Sequence, residues 1–163
     1  MTHHFAEHLA GVSSFRMMPT YEFETGASRA AVSCLGEGLS LAYTWIHPAD
    51  GEQRGGLVIS ASDEDGVVHA AWHDSWHQKS GLMQLTGRRE GDRIELSGTY
   101  AEEWGWTITV VHPETESQAG MTMRMCNVIP ESALAMAPAD GPAVPAGPYE
   151  VSLRSEERRV GKE

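Results

Sequence analysis

The stretch VVHAAWHDSWHQ, residues Val67–Gln78, determines how we interpret the rest of the chain. It contains no Gly or Pro, is rich in aromatic and β-branched residues and is soon followed by Gly81, so it predicts a β-strand. Because side chains alternate along a strand, the stretch has two faces. The mostly apolar face, which we expect to point inward, carries Val68, Ala70, Trp72, Asp74 and Trp76. The other face carries His69, Ala71, His73, Ser75 and His77.

The predicted orientation places the carboxylate of Asp74 between Trp72 and Trp76 inside the protein. Burial disfavours the charged form of a carboxyl group, so an enclosed Asp either finds partners or stays protonated. Asp74 is therefore the most informative residue for function.

The composition is typical of a soluble globular protein with one domain. The chain has 163 residues, of which 40% are hydrophobic and 21% are charged. A formal net charge of -11 and an isoelectric point near 5.1 argue against nucleic acid or an anionic membrane as a partner. No apolar run has the length of a membrane span and the first residues show no secretory pattern, so we expect a cytoplasmic protein. The oligomeric state stays open, with a homodimer as one alternative.

The order of extended and turn segments predicts an all-β fold. In residues 1–20, Phe5, His8, Leu9 and Val12 fall at helical spacing and predict a short N-terminal helix. Beyond Tyr21, turn residues separate nine short strands, the pattern of an antiparallel up-and-down barrel. The predicted strands are 27–35, 39–47, 56–62, 67–78, 82–86, 93–100, 104–112, 120–128 and 149–153. We expect one barrel domain over residues 1–153, since closure of the sheet removes exposed edges.

The last ten residues, Arg154–Glu163, read RSEERRVGKE. They resemble a frame translation of a common sequencing-adapter oligonucleotide. We expect this tail to be non-native and exclude it from the prediction of the fold.

Four further segments support a family resemblance. LAYTW at Leu41–Trp45, WHDSWHQ at Trp72–Gln78, WGW at Trp104–Trp106 and MRMCNVIPESA at Met123–Ala133 resemble a bacterial family of lipocalin-like proteins in the calycin superfamily. The likeness covers most of residues 14–153. It implies a barrel with a central cavity, distantly similar to fatty-acid-binding proteins and nitrobindins, but it implies no particular activity. Haem bound by a single barrel histidine, as in nitrobindins, is the one cofactor alternative that the resemblance adds; otherwise we expect no cofactor.

The remaining residues favour neither a metal site nor a nucleophilic enzyme. His69, His73 and His77 share a predicted face, but neighbours among them lie roughly 13 Å apart along a strand, too far to share one ion. Sequence neighbours such as His73, Asp74 and Ser75 point to opposite faces and cannot form a triad. Cys34 and Cys126 are too few for a disulfide framework, and we expect two reduced, buried thiols, with one disulfide as the alternative.

The tryptophans give the strongest indication of a binding site. They predict either a packed core or an aromatic pocket in which Asp74 is one of few polar groups. The candidate ligand-binding residues are Tyr43, Trp45, Trp72, Asp74, Trp76, Trp104, Trp106 and Arg124. An inward Arg124 could bind Asp74 or a ligand carboxylate. The alternation with Met121, Met123 and Met125 favours the outward alternative, because three methionines bury more easily than one guanidinium.

Three functions follow from these features. The first is binding of a small, largely apolar molecule in an aromatic-lined barrel cavity. The second is an enzyme of isomerase, cyclase or hydrolase type, in which Asp74 is a catalytic general acid or base with a pKa raised by the tryptophans. The third is a structural protein with a filled core. We rank them in that order.

Overall fold

The computed structural model describes residues 7–15, 24–47, 49–78, 80–112, 120–128, 130, 132 and 148–156. Ten strands are present in these residues. They are β1 (Glu7–Phe15), β2 (Glu24–Leu35), β3 (Gly38–His47), β4 (Gly51–Ile59), β5 (Val67–Asp74), β6 (Met83–Glu90), β7 (Arg93–Ala101), β8 (Trp104–Val111), β9 (Thr122–Val128) and β10 (Pro148–Glu156). None of the described residues belongs to a helix that could span a membrane.

The strands form one antiparallel sheet that curls on itself. Each strand pairs with the next one in sequence, and β2 to β9 make up an eight-stranded meander. Strands β1 and β10 pair with each other and with β2 and β9, which closes the barrel. The prediction of an all-β, antiparallel up-and-down sheet is confirmed, with the first and last strands completing the closure.

The predicted N-terminal helix is wrong over Glu7–Phe15, which forms β1 instead. The helical spacing of His8, Leu9 and Val12 covers little more than one turn, and so short a pattern fits a strand equally well. As a strand, the segment bonds its backbone to β2 on one side and to β10 on the other. Phe5 lies outside the described residues.

The last strand is longer than predicted and includes the first residues of the suspected tail. Arg154, Ser155 and Glu156 pair with Val12, Gly11 and Ala10 of β1. Sheet pairing uses backbone groups that all residue types share, so a strand here is compatible with a non-native sequence.

Alternate side chains of each strand face the interior, as the sequence predicts. On β5, Val68, Trp72 and Asp74 are fully buried whereas His69 is exposed, which confirms the predicted orientation of the strand. On β9, Met123 and Met125 are buried.

Arg124 lies between these methionines and is exposed on the outer face of the barrel. The inward alternative, with Arg124 as a ligand-binding residue, is therefore wrong, because the methionines occupy the interior. Cys34 and Cys126 are free thiols, but only Cys126 is buried, so the prediction of two buried thiols holds for one of them.

Strand β5 ends at Asp74 instead of Gln78, and this shortening changes the site. Ser75, Trp76 and His77 form a turn. Trp76 is 36% exposed and no longer belongs to the inward face of the strand. His77, predicted on the outer face, is packed among aromatic rings. The predicted faces of Trp76 and His77 are wrong because strand alternation stops at Asp74.

Candidate functional site

Asp74 is fully enclosed, and its carboxylate accepts four hydrogen bonds. Its Oδ2 atom accepts from the Tyr43 hydroxyl at 2.9 Å and from Trp45 Nε1 at 3.0 Å. Its Oδ1 atom accepts from the backbone N–H groups of Trp76 at 2.9 Å and His77 at 3.3 Å. Four donors and no acceptor face this side chain, an environment suited to a carboxylate.

Tyr43 connects this carboxylate to Trp72. Trp72 Nε1 donates to the Tyr43 oxygen at 2.8 Å, and the Tyr43 hydroxyl in turn donates a hydrogen bond to Asp74. Burial raises the pKa of Tyr43 well above its ordinary value, and the negative charge of Asp74 raises it further. Tyr43 therefore remains a hydrogen-bond donor at any physiological pH.

A glycine makes this contact sterically feasible. Tyr43 of β3, Gly55 of β4 and Asp74 of β5 occupy one row across three adjacent strands. A Cβ atom on Gly55 would lie 2.3 Å from the Tyr43 hydroxyl oxygen. Because position 55 has no side chain, the Tyr43 ring can cross β4 and reach Asp74.

Asp74 also fixes the turn that follows it. Its backbone N–H donates to Gln78 Oε1 at 2.6 Å, and the Gln78 N–H donates to the Asp74 carbonyl at 2.8 Å. Trp76 Nε1 donates to Asp50 Oδ2 at 3.0 Å, which ties the turn to the connection between β3 and β4. A short polar side chain that bonds the backbone two and three residues ahead is typical of turn formation.

A cavity of about 550 Å³ opens at the end of the barrel where this turn lies. Half of its lining comes from the connection between β5 and β6, and the rest comes from the ends of β6 to β9. The lining residues are Trp76, His77, Gln78, Ser80, Gly81, Leu82, Met83, Gln84, Thr99, Tyr100, Trp106 and Asn127.

The cavity coincides with a seam between β6 and β7. These two strands pair only from Thr86 with Ser97 to Glu90 with Arg93. Toward the cavity, Met83 to Leu85 pair with β5, and Thr99 and Ala101 pair with β8. The barrel wall therefore loses its pairing at this end, and the strands on both sides of the seam contribute lining residues.

His77 lies between the Asp74 cluster and the cavity. Its ring centroid is 4.2 Å from that of Trp106, 5.5 Å from that of Trp72 and 5.9 Å from that of Trp45. Its Nε2 atom is buried and has no hydrogen-bond partner among the described residues. Burial lowers the pKa of His77 from 6.5 to about 4; nearby Asp74 opposes this shift and His47 adds to it. The ring is therefore neutral at pH 7.

The structure divides the predicted site residues into three groups. Tyr43, Trp45, Trp72 and Asp74 come together as a buried cluster that does not line the cavity. Trp76 and Trp106 do line it. Trp104 is half-buried at the start of β8, with its ring 6.5 Å from Tyr100, and Arg124 is on the outer face.

Several lining residues were absent from the predicted site, notably His77, Gln84 and Asn127. The pair Asp74-Ser75 stands two residues before His77, and its turn-forming composition was the available signal that the strand ends at Asp74. Nothing in the local sequence of Gln84 or Asn127 indicates a cavity, because their positions depend on where β6 and β7 separate.

The described residues do not fit haem or a metal centre. No group of three or more His, Cys, Asp or Glu side chains among them is placed to hold a metal ion. His77 is the one described histidine that lines the cavity, and its Nε2 atom is buried. His69 lies on the outer face of β5. An iron ligand needs a nitrogen that faces open space, and His77 Nε2 does not.

No protein-family model matches this chain, and no curated protein is significantly similar to it. The resemblance to lipocalin-like proteins therefore stays a prediction from the four sequence segments.

Proposed function

We propose that this barrel binds a small, largely apolar molecule in the cavity at its open end. The observation that carries the proposal is the convergence of Trp76, Tyr100 and Trp106 on one cavity of about 550 Å³. Concave sites of a few hundred Å³ with aromatic walls and a few polar groups are typical of small-molecule binding. Leu82 and Met83 add apolar surface to the same wall.

The buried cluster supports binding by holding the cavity wall in place. Asp74 accepts hydrogen bonds from the backbone N–H groups of Trp76 and His77, and the His77 ring packs against Trp106 with the centroids 4.2 Å apart. A wall that is rigid before the ligand arrives costs less conformational entropy on binding. Asp74 thus contributes through the residues that it positions.

This geometry favours binding over the two other hypotheses. A general acid or base must come within hydrogen-bonding distance of the substrate. Asp74 does not line the cavity, and its two oxygens already accept four hydrogen bonds. Buried side chains fill the described interior of the barrel, but a purely structural protein has no need of a cavity of this size at the barrel end.

Fluorescence titration with N-phenyl-1-naphthylamine, an uncharged apolar probe, tests the proposal. We expect saturable enhancement with the wild type and at least about tenfold weaker binding to Trp106→Leu, because that change removes one aromatic wall. Trp104→Leu, two residues away on the same strand and outside the lining, is the matched control and should bind like the wild type. Absence of saturable binding to the wild type, or equal losses in both variants, would contradict the proposal.

A further inference from the structure

The polar side chains among the described lining residues of the cavity are neutral near pH 7. Among the described lining residues there is no Asp, Glu, Lys or Arg. The hydrogen-bonding side chains in the described lining, besides Tyr100, Trp76 and Trp106, are His77, Gln78, Ser80, Gln84, Thr99 and Asn127. His77 adds no charge near neutral pH, because burial lowers its pKa to about 4.

Several of these side chains have donors or acceptors that make no hydrogen bond to any described residue. Asn127 Oδ1 accepts from the Tyr100 hydroxyl at 3.4 Å, which leaves the two amide protons of Asn127 for a ligand. The side chains of Gln84 and Thr99 flank the seam between β6 and β7 and make no hydrogen bond to any described residue. Donors and acceptors therefore surround the aromatic walls.

We infer that the ligand is an uncharged ring compound with hydroxyl groups on its edge, and that anions such as fatty acids are excluded. The inference rests on the proposed function and specifies its ligand. Trp106 and Tyr100 offer aromatic faces to the ring, and Gln84 and Asn127 offer donors and acceptors to its hydroxyl groups. Such a ring can come from an aromatic alcohol or from a saccharide.

The exclusion of anions follows from the absence of a positively charged side chain among the described lining residues. Arg124, which could have paired with a ligand carboxylate, lies on the outer face of the barrel. An anion in the cavity would lose part of its hydration and lie beside His77, whose backbone N–H donates to the buried carboxylate of Asp74. Burial of an uncompensated charge is far more costly than burial of a hydroxyl group that finds partners.

Two matched fluorescent probes test the charge preference. N-phenyl-1-naphthylamine and 1-anilinonaphthalene-8-sulfonate share one ring framework and differ by a sulfonate. We expect the sulfonate to bind the wild type at least about tenfold more weakly, since no described lining residue neutralises it. Gln84→Arg should recover much of that loss, whereas Thr86→Arg, an exposed position two residues along β6 and outside the lining, should not.

Displacement of the bound naphthylamine tests the hydroxyl preference and separates the two sources. We compare how tightly 2-naphthol and naphthalene compete for the site. An affinity of 2-naphthol that is at least about threefold higher, with this advantage lost in Asn127→Leu, supports an aromatic alcohol. Displacement by a methyl glucoside supports a saccharide. Equal affinity for the neutral and the sulfonated probe, or no preference for either hydroxylated competitor, would overturn the inference while leaving the proposed function intact. Failure of the naphthylamine itself to bind would instead contradict the proposed function.

Discussion

The Tyr43 hydroxyl donates a 2.9 Å hydrogen bond to Asp74 Oδ2, joining residues 31 positions apart in the chain. The contact crosses the intervening strand at Gly55, where a side chain would block it. It links β3 to the end of β5, and the other oxygen of the same carboxylate holds the turn that carries Trp76 and His77. The barrel interior and the cavity wall are thereby connected through one side chain.

Asp74→Asn should destabilise the protein by about 2–4 kcal/mol, since all four partners of the carboxylate are donors. An Asn can satisfy the two backbone N–H groups with its oxygen, but its amide then faces Trp45 Nε1, which can only donate. Urea unfolding monitored by circular dichroism measures the loss. Glu95→Gln, at an exposed ion pair, is the control and should change stability by less than about 0.5 kcal/mol. Equal stability of Asp74→Asn and the wild type would contradict a structural role for the carboxylate.

Tyr43→Phe should lower the free energy of unfolding by about 1–3 kcal/mol, because it leaves Trp72 Nε1 without its acceptor and Asp74 Oδ2 with one donor fewer. Tyr100→Phe removes a hydroxyl from an exposed residue and should stay within about 0.5 kcal/mol of the wild type. Thermal and urea unfolding of both variants provide the comparison. We expect a clear difference in unfolding free energy between Tyr43→Phe and Tyr100→Phe, and similar small effects would argue against the buried network.

The adjacent glycines of β4 offer a matched pair of substitutions. A Cβ on Gly55 would lie 2.3 Å from the Tyr43 side chain, whereas a Cβ on Gly56 would approach nothing closer than the Leu41 carbonyl oxygen at 3.6 Å. Gly55→Ala must therefore displace the Tyr43 ring and break the hydrogen bond between Tyr43 and Asp74. We expect this to lower the free energy of unfolding by about 2–4 kcal/mol. Gly56→Ala should be neutral within about 1 kcal/mol. Near-ultraviolet circular dichroism, which reports aromatic packing, should change only in Gly55→Ala; the reverse order of effects would refute the placement of Tyr43.

His77 should make stability fall as the pH falls from about 6.5 to about 4. Above pH 6.5 the His77 imidazole is neutral in both the folded and the unfolded protein. Between pH 6.5 and 4 the unfolded chain binds a proton there that the folded protein does not, because burial lowers the pKa of His77 to about 4. The loss is roughly 3 kcal/mol at most, and it levels off below pH 4. The test compares the free energy of unfolding as a function of pH for the wild type and for His77→Phe.

We expect the wild type to show the steeper loss of stability, whereas His69→Gln, at an exposed position, should match the wild type. Parallel pH profiles for the wild type and His77→Phe would show that His77 titrates normally.

The interior of the barrel was predictable because it depends on alternation. Two-residue periodicity assigned Trp72 and Asp74 to the inside, and the methionines of β9 favoured an outward Arg124. These assignments use only the direction of neighbouring side chains on a strand, which the local sequence determines.

The cavity was less predictable because it depends on where strands end and separate. No Gly or Pro marks the end of β5, so alternation was carried past Asp74 and reversed the location of His77. The seam between β6 and β7 arises from pairing with other strands, which the sequence of β6 does not reveal. The role of Gly55 likewise requires knowledge that Tyr43 and Asp74 flank it across two strand pairs.

The ¹H–¹⁵N spectrum of the five tryptophan indoles, recorded during addition of N-phenyl-1-naphthylamine, tests the site most directly. We predict large shifts for Trp76 and Trp106, which line the cavity, and small shifts for Trp45 and Trp72, whose indole N–H groups are bonded to Asp74 and Tyr43. Large shifts of Trp45 and Trp72 without a response from Trp106 would place the ligand beside Asp74 and contradict the account.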